Sequence, residues 1–265
     1  MSGKLRVLVG RKLPGVVEAR LARDYDAILN PEDRAYPSDE LVAKLQDCDA
    51  IVASHTEHFS ADVIDRLPSG FKAICNVSVG HDHVDKQAAK ARGVVVTNTP
   101  DVLNDATAEI AMLCMLGAAR RASEGERLIR EHAWKDWSLS FMVGVQVTGK
   151  TLGILGMGRI GEVLAKRAKG FDMRVLYHNR RPSPTADAIG AEYVDSLDAL
   201  LAQSDYFSLN CPATPETKGI LNAERIAKLP KGAVVINTAR GVLVDDDALI
   251  AALKSGHLFA AGLDV

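Results

Sequence analysis

The sequence predicts an α/β protein built from two doubly wound parallel sheets. Short apolar runs alternate with helical patterns through residues 1–98, and a second alternating set starts at residue 151. This alternation is typical of parallel sheets covered by helices on both faces. Between the two sets, residues 104–134 contain no proline and are rich in Ala, Leu, Met and Glu, which predicts one or two long helices. We therefore divide the chain into domains at 1–98 and 99–265.

Local patterns justify each element in turn. Ser38 is predicted to cap a helix over 38–48, because the apolar residues of that segment then share one face. The predicted strands of the first domain are 6–10, 25–29, 50–54, 72–77 and 94–98, with further helices over 61–67 and 84–92. Those of the second domain are 151–156, 173–178, 206–210, 233–238 and 260–265. Its predicted helices are 159–169, 196–204, 223–228 and 246–254.

Composition excludes several classes of function. A net charge of −2 gives no electrostatic reason to bind nucleic acid or an anionic membrane. The longest apolar stretch, 110–119, is too short to span a bilayer, and the first ten residues lack a signal-peptide core. The four cysteines are far apart in the chain and form no CxxC pair, which favours buried free thiols. These features predict a cytoplasmic protein.

A glycine motif opens the second domain. The strand TLGILG runs into GMGRIG (156–161), and a helix follows at once. In this context Gly156 permits a tight turn, Gly158 lets the backbone approach a pyrophosphate, and Gly161 allows the helix to pack close to the strand. The start of the helix, with Arg159 and Ile160, offers unpaired N–H groups to the phosphates. The motif therefore predicts a dinucleotide site; the alternative is a glycine-rich turn without a ligand.

The residues after the next strand predict which dinucleotide is bound. NAD sites usually carry an acidic residue here, which accepts a hydrogen bond from the ribose 2′-hydroxyl. This chain has Asn179, Arg180 and Arg181 instead, while Asp172 precedes the strand and so belongs to the opposite edge of the sheet. Two guanidinium groups suit a 2′-phosphate. We predict NADP(H) as the preferred cofactor, with NAD(H) possible.

Two further strand ends carry candidate substrate contacts. Arg240 follows the strand AVVINT, at the edge where open α/β sheets bind ligands, and could hold a carboxylate through two parallel hydrogen bonds. Val79 and Gly80, in SVGHDHVD (78–85), can present backbone N–H groups to an anion. His81 and His83 suggest a metal, but no Cys or third His clusters with them in a ligand-like spacing, and we predict no metal site.

These segments, taken together and in this order, resemble the D-isomer-specific 2-hydroxyacid dehydrogenases, especially their NADP-dependent glyoxylate/hydroxypyruvate reductase branch. The resemblance covers the whole chain. It rests on SVGHDHVD, VVVTNTPDVLNDATAE, GMGRIG, YHNRR, NCPATPET, VVINTARG and AAGLDV. It implies a Rossmann-like domain at 99–265, a flavodoxin-like substrate-binding domain at 1–98, and a homodimer acting on a small 2-oxoacid or 2-hydroxyacid.

The resemblance also implies residue roles. Val79 and Gly80 would hold the substrate carboxylate, and Arg240 would bind carboxylate and carbonyl oxygen together. Trp137 would reach the active site of the partner subunit, whereas packing of a dimer arm is the plainer role for both Trp134 and Trp137. The implied cofactor contacts, besides the glycine motif and residues 179–181, are Thr107, Cys211, Pro212, Thr217, Thr238, Ala239 and Asp264.

The implied reaction is hydride transfer from the nicotinamide to the carbonyl carbon of a 2-oxoacid. Arg240 would stabilise the charge that develops on the carbonyl oxygen. The family's proton donor, a histidine with an adjacent glutamate, is expected beyond Val265, as is its final helix. We therefore expect the C-terminal part of the fold to be missing and this polypeptide alone to be unstable or inactive. Two alternatives are an NAD-linked dehydrogenase of another D-2-hydroxyacid and, if the chain truly ends at 265, a non-catalytic dinucleotide-binding relative.

Overall fold

A computed structural model describes residues 3–265 of the chain. The chain divides into two compact units, of which the first ends at Val102 and the second is Leu103–Val265. This division lies four residues after the domain boundary placed on the sequence. The substrate-binding and cofactor-binding roles given to the two domains remain predictions. No helix among the described residues is both long enough and apolar enough to cross a membrane.

The first unit contains a five-stranded sheet in the order β2-β1-β3-β4-β5, with every strand pair parallel. This is the strand order of flavodoxin-like folds. Its elements are β1 Arg6–Val9, α1 Gly15–Asp24, β2 Asp26–Ile28, α2 Ser38–Leu45, β3 Ala50–Ala53, α3 Ala61–Asp65, β4 Ala73–Asn76, α4 Lys86–Ala91 and β5 Val95–Thr97.

The core of the first unit is formed by the apolar faces predicted from the sequence. Leu41 and Leu45 of α2 are fully buried, together with Ile51 of β3 and Ile74 of β4. The predicted cap of α2 is wrong. Pro37 occupies the N-cap position and Ser38 is the first helical residue, with no side-chain hydrogen bond closing the helix start. Proline fixes φ near the value that a helix entry needs, so the serine is not required there.

The second unit contains a six-stranded parallel sheet in the order β11-β10-β9-β6-β7-β8. Two helices precede it, α5 Asn104–Ala119 and α6 Ala122–Arg130. The other elements are β6 Thr151–Leu155, α7 Arg159–Lys169, β7 Arg174–His178, α8 Ala186–Ile189, β8 Ala191–Tyr193, α9 Leu197–Leu201, β9 Tyr206–Leu209, α10 Ala223–Ile226, β10 Ala233–Asn237, α11 Asp246–Lys254 and β11 Leu258–Leu263. This is the classic Rossmann order, and the predicted fold class is confirmed.

Helix α5 packs on the sheet of the second unit through alanine and methionine side chains. Ala108, Ala111 and Met115 are buried in the main core, on the side of α7, β10 and β11. The approach to β11 is so close that a Cβ added to Gly262 would lie 2.6 Å from the Cys114 carbonyl oxygen. Glycine is therefore needed in β11, and this contact fixes the end of that strand relative to α5.

Several element boundaries differ from the prediction. The last strand begins at Leu258 rather than Ala260 and ends at Leu263, so Asp264 follows the strand instead of lying within it. The pair α8 and β8 adds a sixth strand to the five predicted, and α1 was also not predicted. The pair α8 and β8 has only four and three residues, too few to show a periodic pattern. Helix α1 buries none of its residues.

Candidate active site

The glycine motif has the geometry that a dinucleotide pyrophosphate requires. Gly156 has φ +103, a conformation that favours glycine, and an added Cβ would lie 2.6 Å from the Cys211 amide nitrogen. At Gly161 an added Cβ would collide with the Gly156 carbonyl oxygen, so α7 packs directly on the turn. At Gly158 an added Cβ meets no atom within 4 Å. The open space in front of Gly158, at the unpaired N–H groups that start α7, fits a phosphate group.

The segment after β9 lies against this motif. Residues 210 and 211 contact Gly156 through their backbone, so they line the same edge of the sheet. Thr217 closes the following turn, because its Oγ1 donates to the Pro212 carbonyl at 2.8 Å and accepts from the Thr214 amide at 2.8 Å. Cys211 is buried, and this burial raises the pKa of its thiol to about 11. It is therefore a neutral packing group at physiological pH.

Asn179 connects the end of β7 to the glycine motif. Its side chain accepts from the Met157 amide at 2.7 Å and donates to the Met157 carbonyl at 3.2 Å. The next two residues, Arg180 and Arg181, are exposed. Neither donates a hydrogen bond to a residue within 3–265. The pKa of Glu216 is lowered chiefly by a hydrogen bond with the Thr214 side chain, and the charge of Arg180 adds to this effect. The predicted triplet is thus one structural amide followed by two guanidinium groups.

The loop after β10 is held by an asparagine whose role the sequence did not indicate. Buried Asn237 accepts from the Ala239 amide at 3.0 Å and donates to the Arg240 carbonyl at 2.8 Å. Its side chain fixes the turn from which Thr238 and Arg240 project. Thr238 Oγ1 is buried and has no hydrogen-bond partner among the described residues. An unpaired buried hydroxyl is rare and suits contact with a ligand, as predicted for the nicotinamide ribose.

The remaining predicted cofactor contacts of this unit lie at two chain segments. Thr107 is in the second turn of α5 and is half-buried. Asp264 follows β11, and its amide donates to the Asn237 carbonyl at 3.0 Å. Asn237 therefore holds both the loop after β10 and Asp264. The Asp264 carboxylate adds to the effect of burial in raising the pKa of Cys114 on α5. Asp264 is therefore close to the face of α5.

In the first unit, the loop after β4 has its carbonyl groups occupied and its amides available. The Ser78 carbonyl accepts from the Thr99 amide at 2.9 Å, and the Val79 carbonyl accepts from Asn98 Nδ2 at 2.9 Å. Ser78 Oγ donates to the Gly80 carbonyl at 2.7 Å. Within residues 3–265 the amides of Val79 and Gly80 donate no hydrogen bond. This polarity suits an anion such as a carboxylate.

A buried histidine supports that loop. His83 Nε2 lies 2.7 Å from Asn76 Oδ1, and the Asn76 amide group donates to the Thr97 carbonyl at 2.9 Å. Since Asn76 presents its oxygen, Nε2 carries the proton and Nδ1 is bare. Nδ1 has no partner among the described residues, and burial lowers the pKa of His83. No cluster of three metal-ligating side chains occurs in the described part of the chain.

The two tryptophans lie in the segment after α6. Trp137 is 70% exposed and Trp134 is 50% exposed, the latter with its ring against Phe141 at 5.9 Å between centroids. Leu139, between them and Phe141 in sequence, is 87% exposed. In the second unit they contribute to no cluster of buried residues. We call residues 131–143 the arm.

A Rossmann-ordered sheet with this glycine motif is the arrangement of a dinucleotide-binding domain. A family model described as "D-isomer specific 2-hydroxyacid dehydrogenase, NAD binding domain" matches residues 112–265. The chain belongs to that family and is a nicotinamide-dinucleotide-dependent dehydrogenase of 2-hydroxyacids.

Similar proteins include the glycerate dehydrogenase of Hyphomicrobium methylovorum, 45% identical over 99% of this chain and 82% of that protein. The glyoxylate reductase of Thermococcus kodakarensis is 41% identical over 98% of this chain and 79% of that protein. Among solved structures, a glyoxylate reductase from Paecilomyes thermophila is 37% identical with a TM-score of 0.87, covering 100% of this chain and 82% of that one. A second solved structure, described as a D-isomer specific 2-hydroxyacid dehydrogenase from Polaromonas sp. JS6 66, is 45% identical with a TM-score of 0.91, covering 99% of this chain and 82% of that one.

Proposed function

We propose that this protein reduces a small 2-oxoacid, glyoxylate or hydroxypyruvate, with NADPH as the preferred cofactor. The observation that carries the cofactor choice is the end of β7. The side-chain amide of Asn179 forms hydrogen bonds to the Met157 backbone through both its oxygen and its nitrogen. Two exposed arginines follow it. NAD sites use a carboxylate to accept a hydrogen bond from the ribose 2′-hydroxyl. Neither the Asn179 side chain, whose oxygen and nitrogen are already hydrogen-bonded, nor an arginine can replace that carboxylate. Guanidinium groups do favour a 2′-phosphate.

The names of similar proteins support the substrate class. Both glyoxylate reductases and a glycerate dehydrogenase are at least 37% identical to this chain over nearly all of its length. Glycerate is the 2-hydroxyacid formed when hydroxypyruvate is reduced, so one reaction type accounts for both names. We assign Arg240 to the carboxylate and carbonyl oxygen of the substrate, and the Val79 and Gly80 amides to its carboxylate.

Bound NADPH would supply the hydride that reduces the carbonyl carbon. In that step Arg240 stabilises the negative charge on the carbonyl oxygen. The glycine motif, Thr107 and residues 179–181 hold the cofactor, while Cys211, Pro212 and Thr217 line its adenosine half. Thr238 and Ala239 lie at the nicotinamide ribose, with the otherwise unpaired Thr238 hydroxyl as a donor, and Asp264 accepts from the nicotinamide amide. All of these roles follow the family resemblance together with the positions described above.

The decisive assay follows NADPH and NADH oxidation with glyoxylate and with hydroxypyruvate, and it uses the protein together with the proton donor expected after Val265. We expect a lower KM for NADPH and turnover of at least one of the two acids. A clear preference for NADH would favour instead an NAD-linked dehydrogenase of another D-2-hydroxyacid. Replacing Arg240 with Lys keeps a charge but removes the bidentate geometry, and we expect kcat/KM to fall at least about a hundredfold.

We also propose a cytoplasmic homodimer. The four cysteines form no disulfide within the described residues; Cys48 and Cys211 are buried, while Cys75 and Cys114 are only partly buried. Free thiols of this kind are usual in a reducing compartment. The exposed apolar side chains of the arm support a second copy of the chain as the partner, with Trp137 in contact with the partner's site.

A further inference from the structure

The loop between β7 and α8, residues 179–185, has two fixed ends and a free middle. At its start, Asn179 bonds to the Met157 backbone, and the Asn179 carbonyl accepts from Tyr193 Oη at 3.3 Å. Near its end, the Ser183 amide donates to buried Tyr177 Oη at 3.0 Å. Arg180 and Arg181 lie between these anchors. Their position therefore depends on how both ends are held.

The second anchor includes a carboxylate from the glycine-motif helix. Ser183 Oγ donates to Glu162 Oε1 at 3.0 Å, and Thr185 Oγ1 donates to the same oxygen. The two hydroxyls also lie 3.0 Å from each other. Glu162 is half-buried in the first turn of α7, directly after Gly161. The helix that offers its amide groups to the pyrophosphate thus also holds the loop that carries the arginines.

A carboxylate at this place works against the binding of an anionic cofactor. It adds negative charge within the first turn of a helix whose start suits phosphate groups. If Coulomb repulsion were the only effect, removing the Glu162 carboxylate would increase the affinity for a ligand that carries a 2′-phosphate. The hydrogen bonds from Ser183 and Thr185 to Glu162 act in the opposite direction. They order the loop that carries the two arginines, which favours binding of the 2′-phosphate. The two effects have opposite signs and can be separated by experiment.

We propose that Glu162 is a positioning residue for cofactor selectivity: through Ser183 and Thr185 it holds residues 180–182 where the two guanidinium groups meet the 2′-phosphate. This inference rests on the proposed preference for NADPH. Glu162 touches neither the phosphate nor the reacting atoms; it acts through the loop. Selectivity between NADPH and NADH then depends on Glu162, an acidic residue that does not belong to the ribose-binding triplet 179–181.

The test uses adenosine 2′,5′-bisphosphate and AMP as probes, with dissociation constants measured by calorimetry on the full chain. Their ratio isolates the contribution of the 2′-phosphate. We expect Glu162→Ala to reduce the preference for the bisphosphate about tenfold. Loss of the Glu162 charge acts on the 5′-phosphate that both probes carry, so this effect largely cancels in the ratio. Glu162→Gln should keep the preference, since both hydroxyls donate to one oxygen and glutamine retains such an oxygen. It also removes the charge, so rescue by glutamine would identify the hydrogen bonds as the cause.

Two further variants complete the test. Ser183→Ala combined with Thr185→Val removes the same hydrogen bonds from the loop side, and we expect the same loss of preference even if Glu162→Ala fails to fold. Asp187→Ala, an exposed acid two residues beyond Thr185, controls for loss of a nearby charge and should leave the ratio unchanged. A ratio that is unchanged or increased in both Glu162→Ala and the double variant would overturn the inference. If the unsubstituted protein shows no preference for the bisphosphate, the proposed NADPH preference itself fails, and this inference fails with it.

Discussion

Two glycines of the pyrophosphate motif can be distinguished at the scale of single residues. An added methyl group at Gly158 meets no protein atom, whereas at Gly161 it collides with a backbone carbonyl. We expect Gly158→Ala to keep the melting temperature but weaken binding of adenosine 2′,5′-bisphosphate at least about tenfold, because the methyl group occupies ligand space.

Gly161→Ala should weaken binding and also destabilise the protein by about 1–3 kcal/mol. The gain in helix propensity from alanine, about 1 kcal/mol, does not compensate for a collision with backbone. Thermal denaturation and calorimetry on the two variants check this difference. Equal stability loss in both would show that the space in front of Gly158 is not open.

Cys211 gives the second unit a pH-dependent stability at high pH. Burial raises the pKa of its thiol from 9.0 to about 11. The unfolded chain therefore loses this proton first, and stability is fully present below pH 9 and lost as pH rises towards 11. The maximum effect is about 2–3 kcal/mol. Urea unfolding between pH 8 and pH 10.5 should show the stability difference between the wild type and Cys211→Ala becoming smaller as pH rises, and a constant difference would contradict the assignment.

Some single-residue roles could be predicted from the sequence and others could not. The three glycines follow a known spacing, and their roles in binding the cofactor stay predictions. Asn237 and Asn179 gave no such signal, because an asparagine that clamps a turn has the same composition cue as one exposed in a loop. What distinguishes them is the partner, the Arg240 carbonyl in one case and the Met157 backbone in the other, and both partners are brought there by the tertiary fold.

At the scale of elements, the loop between β4 and α4 depends on a neutral histidine. His83 donates to Asn76 at the end of β4, and its other nitrogen is buried with no partner within residues 3–265. Burial lowers its pKa below the ordinary 6.5, while Asp82 opposes this shift and His58 and His55 add to it. Because the unfolded chain binds the proton more readily, stability is present above pH 6.5 and is lost as pH falls below it.

His83→Gln tests this effect, since its amide can donate to Asn76 without taking up a proton. We expect the unfolding free energy of the wild type to fall between pH 7 and pH 5, and that of the variant to fall less. His132→Gln, which replaces an exposed histidine of the second unit, should retain the wild-type pH dependence. If the His83 variant loses stability with pH as steeply as the wild type, the buried neutral form is not responsible.

The elements themselves were predictable where their apolar pattern was strong. Helices α7 and α11 begin and end where the sequence indicates, because each has an apolar face and a clear start. Helix α1 buries no residue, and α8 and β8 have four and three residues, so periodicity gives little signal for them. The second anchor of the 179–185 loop, formed by Ser183 and Thr185, lies just before α8 and β8. Because these two elements were not predicted, the sequence indicated the arginines but not the contact of the loop with Glu162.

At the scale of the whole molecule, each of the two parallel sheets has one place where its strand order reverses, and different residues lie there in the two units. In the second unit the strand order reverses between β6 and β9, where the glycine motif meets residues 210 and 211. In the first unit it reverses between β1 and β3, and there buried Glu57 lies against Gly10, 2.9 Å from the position of an added Cβ. Glu57 also accepts from the Ser54 amide at 2.8 Å. A crevice filled by the chain's own carboxylate is a poor phosphate site, which supports a single dinucleotide site on the second unit.

Assembly is the last property that the surface indicates. Leu139 and Trp137 of the arm are 87% and 70% exposed, and exposed large apolar side chains that cluster mark interaction sites. For the proposed homodimer, we expect Leu139→Asp to raise the dimer dissociation constant at least about tenfold, since a charge would be buried at the interface. Sedimentation velocity across a concentration series measures this shift.

Val16→Asp provides the matched control, because Val16 is 82% exposed but belongs to α1 in the first unit. The same change of side chain there should leave the sedimentation profile unchanged. Activity adds a second measurement: if Trp137 reaches the partner's site, Leu139→Asp should lose turnover in parallel with dimer content, and high protein concentration should restore both. A variant that is monomeric yet fully active would separate assembly from catalysis and remove Trp137 from the proposed substrate site.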